Sequence, residues 1–228
     1  MFTLQKGLYI SDLVSSINIE HGFGTTAPFS ANTLSQSVRP VQTHSTHIGY
    51  VTNLSSLIYN DTDGLITTLD GVTISIKTAD CVPVIYSDNQ NRVIGIAHMG
   101  WRGVYDNFTA QMIKGMIASG AYIDTIKVAI GPSIGPCCYR MYGPRMDQFL
   151  KRWPSETEQS LIVHGSNTHL NLAQMIYLQT RQEGLKKQHI DYKPFCTRCD
   201  DHHFHSYQRV GTGCDHMLSY ITLLPDTI

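Results

Sequence analysis

The sequence has little charge of either sign, and the two signs nearly cancel. Of its 228 residues 15% are charged, and 17 basic residues stand against 18 acidic ones, for a formal net charge of −1. No global electric field therefore attracts the chain to nucleic acid or to an anionic membrane surface. We expect a small molecule as the partner, and neither nucleic acid nor a membrane.

Long apolar runs and a targeting signal are also absent. The first residues, MFTLQKG, lack a basic segment followed by an extended apolar one, and no later segment reaches the length of a membrane span. The sequence therefore predicts a soluble, cytoplasmic protein, and we expect it to act as a monomer or a homodimer.

Cysteine is too scarce for a disulfide framework. Six cysteines in a chain of this length do not resemble the dense cross-linking of a small secreted domain, so we expect reduced thiols, some available as metal ligands. A hydrophobic fraction of 42% is sufficient for a substantial core. Because no repeat or polar linker divides the chain, the sequence predicts one catalytic domain spanning residues 1–228.

Apolar periodicity predicts an α+β fold, with packed mixed sheets flanked by helices. Segments with the pattern of strands lie at 72–77, 82–86, 92–97, 126–130, from Phe195 onward, and at 217–224. Segments with the pattern of helices run from Phe108 to Gly120, from about Pro144, and from the capping residue Asn171 to Gly184. Short turns between neighbouring strands favour antiparallel or mixed pairing.

Two apolar runs end at polar, glycine-rich turns that carry a thiol and an imidazole. Cys81 lies in the segment TADCVP, and His98 lies in AHMGWRG. His44, in VQTHSTH, is the best third member of this set. Two imidazoles and one thiolate suit a catalytic zinc whose fourth position is left for water, and the same donors would accept copper.

Other interpretations of these residues stay open. Cys81 could be a nucleophile with His98 as its base, or a small buried hydrophobe beside a hydrogen-bonded histidine. Asp63, in DTDG, could orient a ligand or carry a proton, although an aspartate before glycine is typical of a turn. Asp80 is the second candidate proton carrier.

A second group of potential metal ligands lies near the C-terminal end of the sequence. Cys196 and Cys199 form a Cys-x-x-Cys pair, and Cys214 and His216 follow as Cys-x-His. Together they would fill the four positions of a structural zinc site, although the residues at 204–209 between them predict a strand. The alternative is a pair of thiols and a solvated histidine run near the rim of the main site.

Two arginines are candidate anion-binding residues, because a guanidinium group can hold phosphate or carboxylate through two hydrogen bonds. Arg102 follows His98 on a glycine-flanked turn, and Arg209 lies in HSYQR. A surface salt bridge is the other interpretation of each. Cys138 and Tyr207 are further candidates for contact with substrate or phosphate. The sequence has no Walker loop, dinucleotide fingerprint or His-Glu-x-x-His helix.

Five motifs occur in the order in which a known protein family carries them. They are QTH at 42–44, TADCVP at 78–83, AHMGWRG at 97–103, IGPSIGPCCY at 130–139 and CTRC at 196–199. In these motifs the sequence resembles the purine nucleoside phosphorylase family, also called multicopper polyphenol oxidase (laccase) or peptidoglycan editing factor. The resemblance extends from HGF at 21–23 to the last predicted strand.

The resemblance implies a fold related to cysteine-hydrolase-like domains, with zinc held by His44, Cys81 and His98. It implies phosphorolysis of adenosine, inosine, guanosine and methylthioadenosine, together with deamination of adenosine. Asp63 or Asp80 would carry the proton when activated water attacks C6 of adenine. For phosphorolysis, Arg102 or the metal would place phosphate for attack at C1′ of the ribose.

Three other functions remain open. A Cys81 nucleophile with His98 as base would hydrolyse amides of peptidoglycan precursors, in the editing of wrongly charged UDP-MurNAc-amino acids. Copper would make the protein a polyphenol oxidase, although phenol oxidation needs several redox-active coppers and the sequence offers one clear site. A binding module without catalysis is the third alternative.

Overall fold

The computed structural model describes residues 1–27 and 36–226. In these ranges the strands are β1 (Phe2–Gln5), β2 (Leu8–Ser11), β3 (Ile19–Gly24), β4 (Arg39–Pro40), β5 (Ile48–Val51), β6 (Ile58–Tyr59), β7 (Gly64–Thr67), β8 (Thr73–Thr78), β9 (Val82–Asp88), β10 (Val93–Met99), β11 (Lys127–Ile130), β12 (Leu161–His164), β13 (Asn167–Leu170), β14 (Ile190–Tyr192) and β15 (Met217–Leu223). The α-helices are α1 (Trp101–Tyr105), α2 (Phe108–Ala118), α3 (Gly143–Arg152), α4 (Pro154–Ser160), α5 (Leu172–Gln182) and α6 (Tyr207–Val210).

Two larger sheets carry most of the strands. One has five strands in the order β1-β2-β3-β15-β8, and every neighbouring pair is antiparallel. The other has six strands in the order β14-β11-β9-β10-β7-β5, with parallel pairs at both outer ends and antiparallel pairs between them. The predicted mixed α+β architecture is therefore confirmed.

The six-stranded sheet is buried on both faces, which explains its continuous apolar runs. On β9, Val84 and Tyr86 pack among the helices, whereas Ile85 between them packs against the five-stranded sheet. On β10, Ile94 and Ile96 also face the five-stranded sheet. The layers are thus helices, six-stranded sheet and five-stranded sheet, with one apolar core on each side of the middle layer.

Capping side chains define where α2 and α5 start. The side chain of Asn107 accepts a hydrogen bond from the Ala110 N–H at the start of α2, and that of Asn171 accepts one from the Gln174 N–H at the start of α5. Such caps satisfy backbone donors that a helix start leaves unpaired. The helices predicted in these two segments are confirmed, as is the strand predicted at 217–224.

The strand predicted from Phe195 onward is wrong, as is the strand at 204–209. This segment forms turns and then the short helix α6. Three of its backbone carbonyl groups are bonded without a β-ladder, because the Arg209 guanidinium donates to the carbonyl oxygens of Thr197, Arg198 and Phe204. Aromatic β-propensity is a local preference, and these longer-range bonds outweigh it.

Among residues 1–27 and 36–226, no helix combines the length and apolar character needed to cross a membrane.

Candidate metal centre and its cavity

The candidate site lies at one end of the six-stranded sheet, where three segments meet. Cys81 directly precedes β9, and His98 lies near the end of the antiparallel β10, opposite Pro83. Asp63 directly precedes β7, whose Gly64 lies opposite Ala97 on β10. In neighbouring antiparallel strands, one strand begins where the other ends. This topology therefore brings the thiol, the imidazole and the carboxylate together at one end of the sheet.

The Asp63 carboxylate organises the loop that carries His44. It accepts hydrogen bonds from the backbone N–H groups of Thr43, His44 and Ser45, at 3.0, 3.1 and 2.7 Å. His44 itself is in the left-handed region at φ 60°, so the loop needs such support. Burial would raise the pKa of Asp63, but hydrogen bonds from His98 and Ser45 lower it to about 2.

The three predicted metal ligands lie within reach of one ion. The ligand atoms of His44, Cys81 and His98 all lie within 4.8 Å of one another, and Sγ of Cys81 is 3.8 Å from Nε2 of His44. Nδ1 of His98 is 2.7 Å from Oδ1 of Asp63, which leaves Nε2 for a metal. Two imidazoles and a thiolate with a cavity in front fit a three-ligand zinc site, and they also fit copper.

Cys81 and His98 shift each other's ionisation. Burial opposes ionisation of the Cys81 thiol, but the His98 and His44 rings outweigh it and lower the pKa of Cys81 to about 6. Burial would lower the pKa of His98, but Cys81 and Asp63 raise it to about 9. At neutral pH without a metal, the pair is therefore a thiolate beside an imidazolium. A thiolate is the form that acts as a metal ligand or as a nucleophile.

A cavity of about 880 Å³ opens in front of the three ligands. Its wall includes five basic side chains and one acidic one, and these are Lys77, Arg102, Arg140, Arg145, Arg198 and Asp80. In the described ranges none of the five forms an ion pair with a carboxylate. The cavity therefore carries an excess of positive charge that suits an anion.

Aromatic rings form another part of the cavity wall. Trp101, Tyr139, Tyr142 and Tyr207 all line it. The guanidinium carbon of Arg145 lies 4.0 Å from the centre of the Trp101 ring. Flat apolar surfaces next to cationic groups are suited to a heteroaromatic base with an anionic neighbour.

The structure places the other predicted site residues as follows. Arg102, Cys138 and Tyr207 line the cavity. Asp80 also lines it, and its carboxylate accepts hydrogen bonds that tie together the loops around it, from Thr197 Oγ1 at 2.6 Å and from the Gln208 N–H at 2.7 Å. The Arg209 guanidinium, by contrast, is engaged by backbone carbonyl oxygens at 2.5–3.0 Å.

The predicted zinc set of Cys196, Cys199, Cys214 and His216 does not form within the described residues. Cys196 and Cys199 lie with two other cysteines instead, Cys137 and Cys138. His216 lines the main cavity. Turns through glycines with positive φ at 211 and 213 connect α6 to β15, and neither Cys214 nor His216 joins the group of Cys196 and Cys199.

Sequence reasoning missed several residues of the cavity wall. Arg140 and Arg145 follow the GPCCY motif, and Lys77 is on β8. For the two arginines, the available signal was their position shortly after a rigid Gly/Pro loop, with Arg140 directly beside Tyr139. Lys77 gave no signal, because a lysine in an alternating strand is usually a solvated residue.

Residues 25–224 match the family described as multi-copper polyphenol oxidoreductase laccase. The chain is 28% identical over 189 residues to adenosine deaminase RL5 from an unknown prokaryotic organism, covering 78% of this chain and 71% of that relative. It is 32% identical over 162 residues to purine nucleoside phosphorylase YlmD of Geobacillus stearothermophilus, covering 70% of this chain and 59% of that one. The match thus spans less than two thirds of that phosphorylase.

Two solved structures are similar over nearly their whole length. YfiH of Bacillus licheniformis has a TM-score of 0.86 at 24% identity, covering 97% of this chain and 98% of its own. YlmD of Geobacillus stearothermophilus also has a TM-score of 0.86, at 23% identity, covering 98% and 99%. At these identities the likeness shows a shared fold.

Proposed function

Because this chain belongs to the multi-copper polyphenol oxidoreductase laccase family, an enzyme family, we propose that it is a metal-dependent purine nucleoside enzyme. The reactions proposed are phosphorolysis of adenosine, inosine, guanosine and methylthioadenosine, and deamination of adenosine. The observation that carries the proposal is the convergence of His44, Cys81 and His98 on one point at a cavity rich in aromatic and basic groups. The names of its relatives support the same substrate class.

We assign zinc to the three ligands, with copper as the alternative. When bound, zinc would supply a Lewis acid and activate water at neutral pH. Asp63 acts as a positioning residue: it holds Nδ1 of His98 and the backbone of the His44 loop, so that both rings present a nitrogen to the same point.

Different side chains of the cavity wall would hold the base and the anion. Stacking on rings such as Trp101 and Tyr207 would orient the purine. Arg102 and Arg145, whose guanidinium groups lie 4.8 and 4.0 Å from the centre of the Trp101 ring, would hold phosphate beside the ribose. In phosphorolysis, an oxygen of hydrogen phosphate bonds to C1′ as the bond from C1′ to the base breaks, and the base takes up the proton that the phosphate loses.

Deamination uses the same cavity with water in place of phosphate. The water oxygen bonds to C6, the bond from C6 to the amino nitrogen breaks, and ammonia leaves. We assign the proton transfers to Asp80, which is the acidic side chain of the wall in the described residues.

Product analysis tests the proposal directly. Purified protein is incubated with adenosine, with and without phosphate, and products are identified by mass spectrometry. We expect ribose 1-phosphate and adenine with phosphate present, and inosine in both cases. Chelation of the metal and Cys81→Ala should abolish all three products, whereas Cys214→Ala, a cysteine outside the ligand set, should not. Full turnover by metal-free protein would overturn the proposal.

A second candidate function is supported by the ionisation of Cys81 and His98. A thiolate beside an imidazolium is the resting state of a Cys-His hydrolase, which would attack an amide carbonyl of a peptidoglycan precursor. This function requires iodoacetamide to inactivate the protein and an acyl-enzyme to be trapped on Cys81. Amide hydrolysis that survives alkylation but is lost to a chelator would exclude it.

A further inference from the structure

Four other cysteine side chains converge at the edge of the cavity. Cys137 and Cys138 lie in the loop after β11, and Cys196 and Cys199 lie in the turn that precedes α6. Their sulfur atoms all lie within 4.8 Å of one another. Sγ of Cys199 is 3.6 Å from that of Cys137 and 3.4 Å from that of Cys138, and all four are free thiols.

These distances fit four ligands around one ion. With zinc–sulfur bonds of about 2.3 Å, neighbouring sulfurs of a regular tetrahedron lie about 3.8 Å apart. A disulfide would instead bring two sulfurs to about 2.05 Å. Thiolates are soft ligands and select zinc over the hard divalent cations.

The backbone of both segments is shaped to present sulfur atoms. The Cys138 N–H donates to the Gly135 carbonyl at 3.0 Å, and the Cys199 N–H donates to the Cys196 carbonyl at 3.2 Å, so each pair lies on a tight turn. A Cβ at Gly135 would lie 3.0 Å from Cβ of Cys196 and 3.4 Å from Sγ of Cys137. The close approach of the two turns therefore depends on glycine at that position.

Packing does not account for the cluster. Cys137 and Cys199 are exposed, whereas Cys138 and Cys196 are half-buried, so the thiols do not fill an apolar core. Cys199 is 62 residues from Cys137 in sequence. Sulfur ligands held by one ion would explain why thiols from such distant segments meet at a solvent-facing position.

We propose that Cys137, Cys138, Cys196 and Cys199 bind a zinc ion as a closed structural site, separate from the site of His44, Cys81 and His98. Four S–H bonds are replaced by four zinc–sulfur bonds, the protons pass to solvent, and nothing is oxidised or reduced. Cys138 then serves as a zinc ligand instead of a substrate contact.

The ion would also fix part of the cavity wall. Tyr139 follows Cys138 directly, and Arg198 lies between Cys196 and Cys199, and both side chains line the cavity. Zinc bound by the neighbouring cysteines thus holds Tyr139 and Arg198 in place in the cavity wall. The assignment rests on the sulfur geometry and is independent of the reaction proposed for the cavity.

The experiment uses the full chain with its main site disabled. In His44→Ala/Cys81→Ala protein expressed with zinc, elemental analysis should find about one zinc per chain, and X-ray absorption should find four sulfur ligands at about 2.3 Å. Adding Cys199→Ser should remove that zinc. Adding Cys214→Ser, a half-buried cysteine outside the cluster, should leave it bound.

Two results would overturn the proposal. One is that the Cys199→Ser protein contains as much zinc as the Cys214→Ser control. The other is a disulfide among the four cysteines in protein purified under reducing, anaerobic conditions. If circular dichroism shows that the Cys199→Ser protein is unfolded, the folded Cys214→Ser protein, whose remaining cysteines are the four of the cluster, is titrated with a mercurial. Release of the zinc as these four thiols react supports the site, and retention of zinc after they react contradicts it.

Discussion

Oδ1 of Asp63 lies 2.7 Å from Nδ1 of His98, and these side chains are 0% and 5% exposed. The same carboxylate accepts the N–H of His44. One buried side chain therefore orders two of the three proposed metal ligands, although Asp63 is not itself a member of the three-residue group.

Asp63→Asn should weaken metal binding about 10- to 100-fold, because Asn supplies one acceptor oxygen where His98 and residues 43–45 use two. Zinc affinity is measured by competition with a chromogenic chelator. The matched control is Asp61→Asn, which alters an exposed carboxylate that bonds Thr43 Oγ1 in the same loop. Equal affinities for the two variants would contradict the positioning role of Asp63.

Gly100→Ala should disrupt the ligands directly. Its Cβ would lie 2.7 Å from Cδ2 of His44 and 3.3 Å from Sγ of Cys81. Overpacking of this kind costs about 1–3 kcal/mol, so zinc affinity should fall about 5- to 150-fold. Gly143→Ala is the control, because beyond its chain neighbours and the backbone of its own helix no atom lies within 4 Å of its added Cβ. Isothermal titration with zinc measures both, and unchanged affinity for Gly100→Ala would show that the ligands can move away.

Arg102→Ala should separate the two proposed reactions. Losing a charged hydrogen-bond donor costs about 1.5–3 kcal/mol, so the KM for phosphate should rise about 10- to 150-fold, with little change in deamination. Lys114→Ala removes an exposed positive charge outside the cavity wall and should change neither reaction. Initial rates at varied phosphate measure the effect. A parallel loss of deamination would indicate that Arg102 contacts the nucleoside.

His21 should make stability depend on pH. It is 3% exposed, and its Nε2 accepts the Ser11 N–H at 3.0 Å, so it is buried in the neutral form. Burial lowers the pKa of His21 to about 4, although Asp191 opposes this. As pH falls from about 6.5 to 4, the unfolded chain binds a proton that the folded chain does not, so stability is lost in that window, by about 3 kcal/mol.

Urea denaturation of the wild type and of His21→Gln between pH 4 and 7.5 measures this contribution. The variant should be less stable at pH 7 and should lose less stability on acidification. His202→Gln, whose side chain is 93% exposed in the wild type, should keep the wild-type slope. The same slope in all three proteins would show that His21 is not the group responsible.

Much of the site could be predicted from sequence because its residues lie where apolar runs end. Cys81 and His98 flank a hairpin, and a hairpin brings its two ends together by local geometry. The convergence of Cys137 with Cys199, 62 residues away, could not be predicted, because it depends on how distant loops pack on the finished sheets. The strand predicted after Phe195 was wrong for a related reason, since the Gln208 N–H of this segment donates to the carboxylate of Asp80, 128 residues away.

For Asp63 the sequence suggested an orienting role but not the groups that its carboxylate holds. An aspartate before glycine predicts a turn, and the sequence does not reveal that its carboxylate faces inward to a loop about 20 residues earlier. The basic residues Arg140 and Arg145 were missed because arginines occur on most protein surfaces, so a position after a Gly/Pro loop does not by itself indicate a site. Their place in the wall of the cavity in front of the ligands distinguishes them.

The position of β15 in the five-stranded sheet has a consequence for how the chain folds during synthesis. It lies between β3 and β8, and it pairs with both. Until residues 217–223 leave the ribosome, those two strands each have an unpaired edge, and the five-stranded sheet is incomplete. Completion of this sheet is therefore a late, long-range step, during which the unpaired edges are exposed to association with other chains or to chaperones.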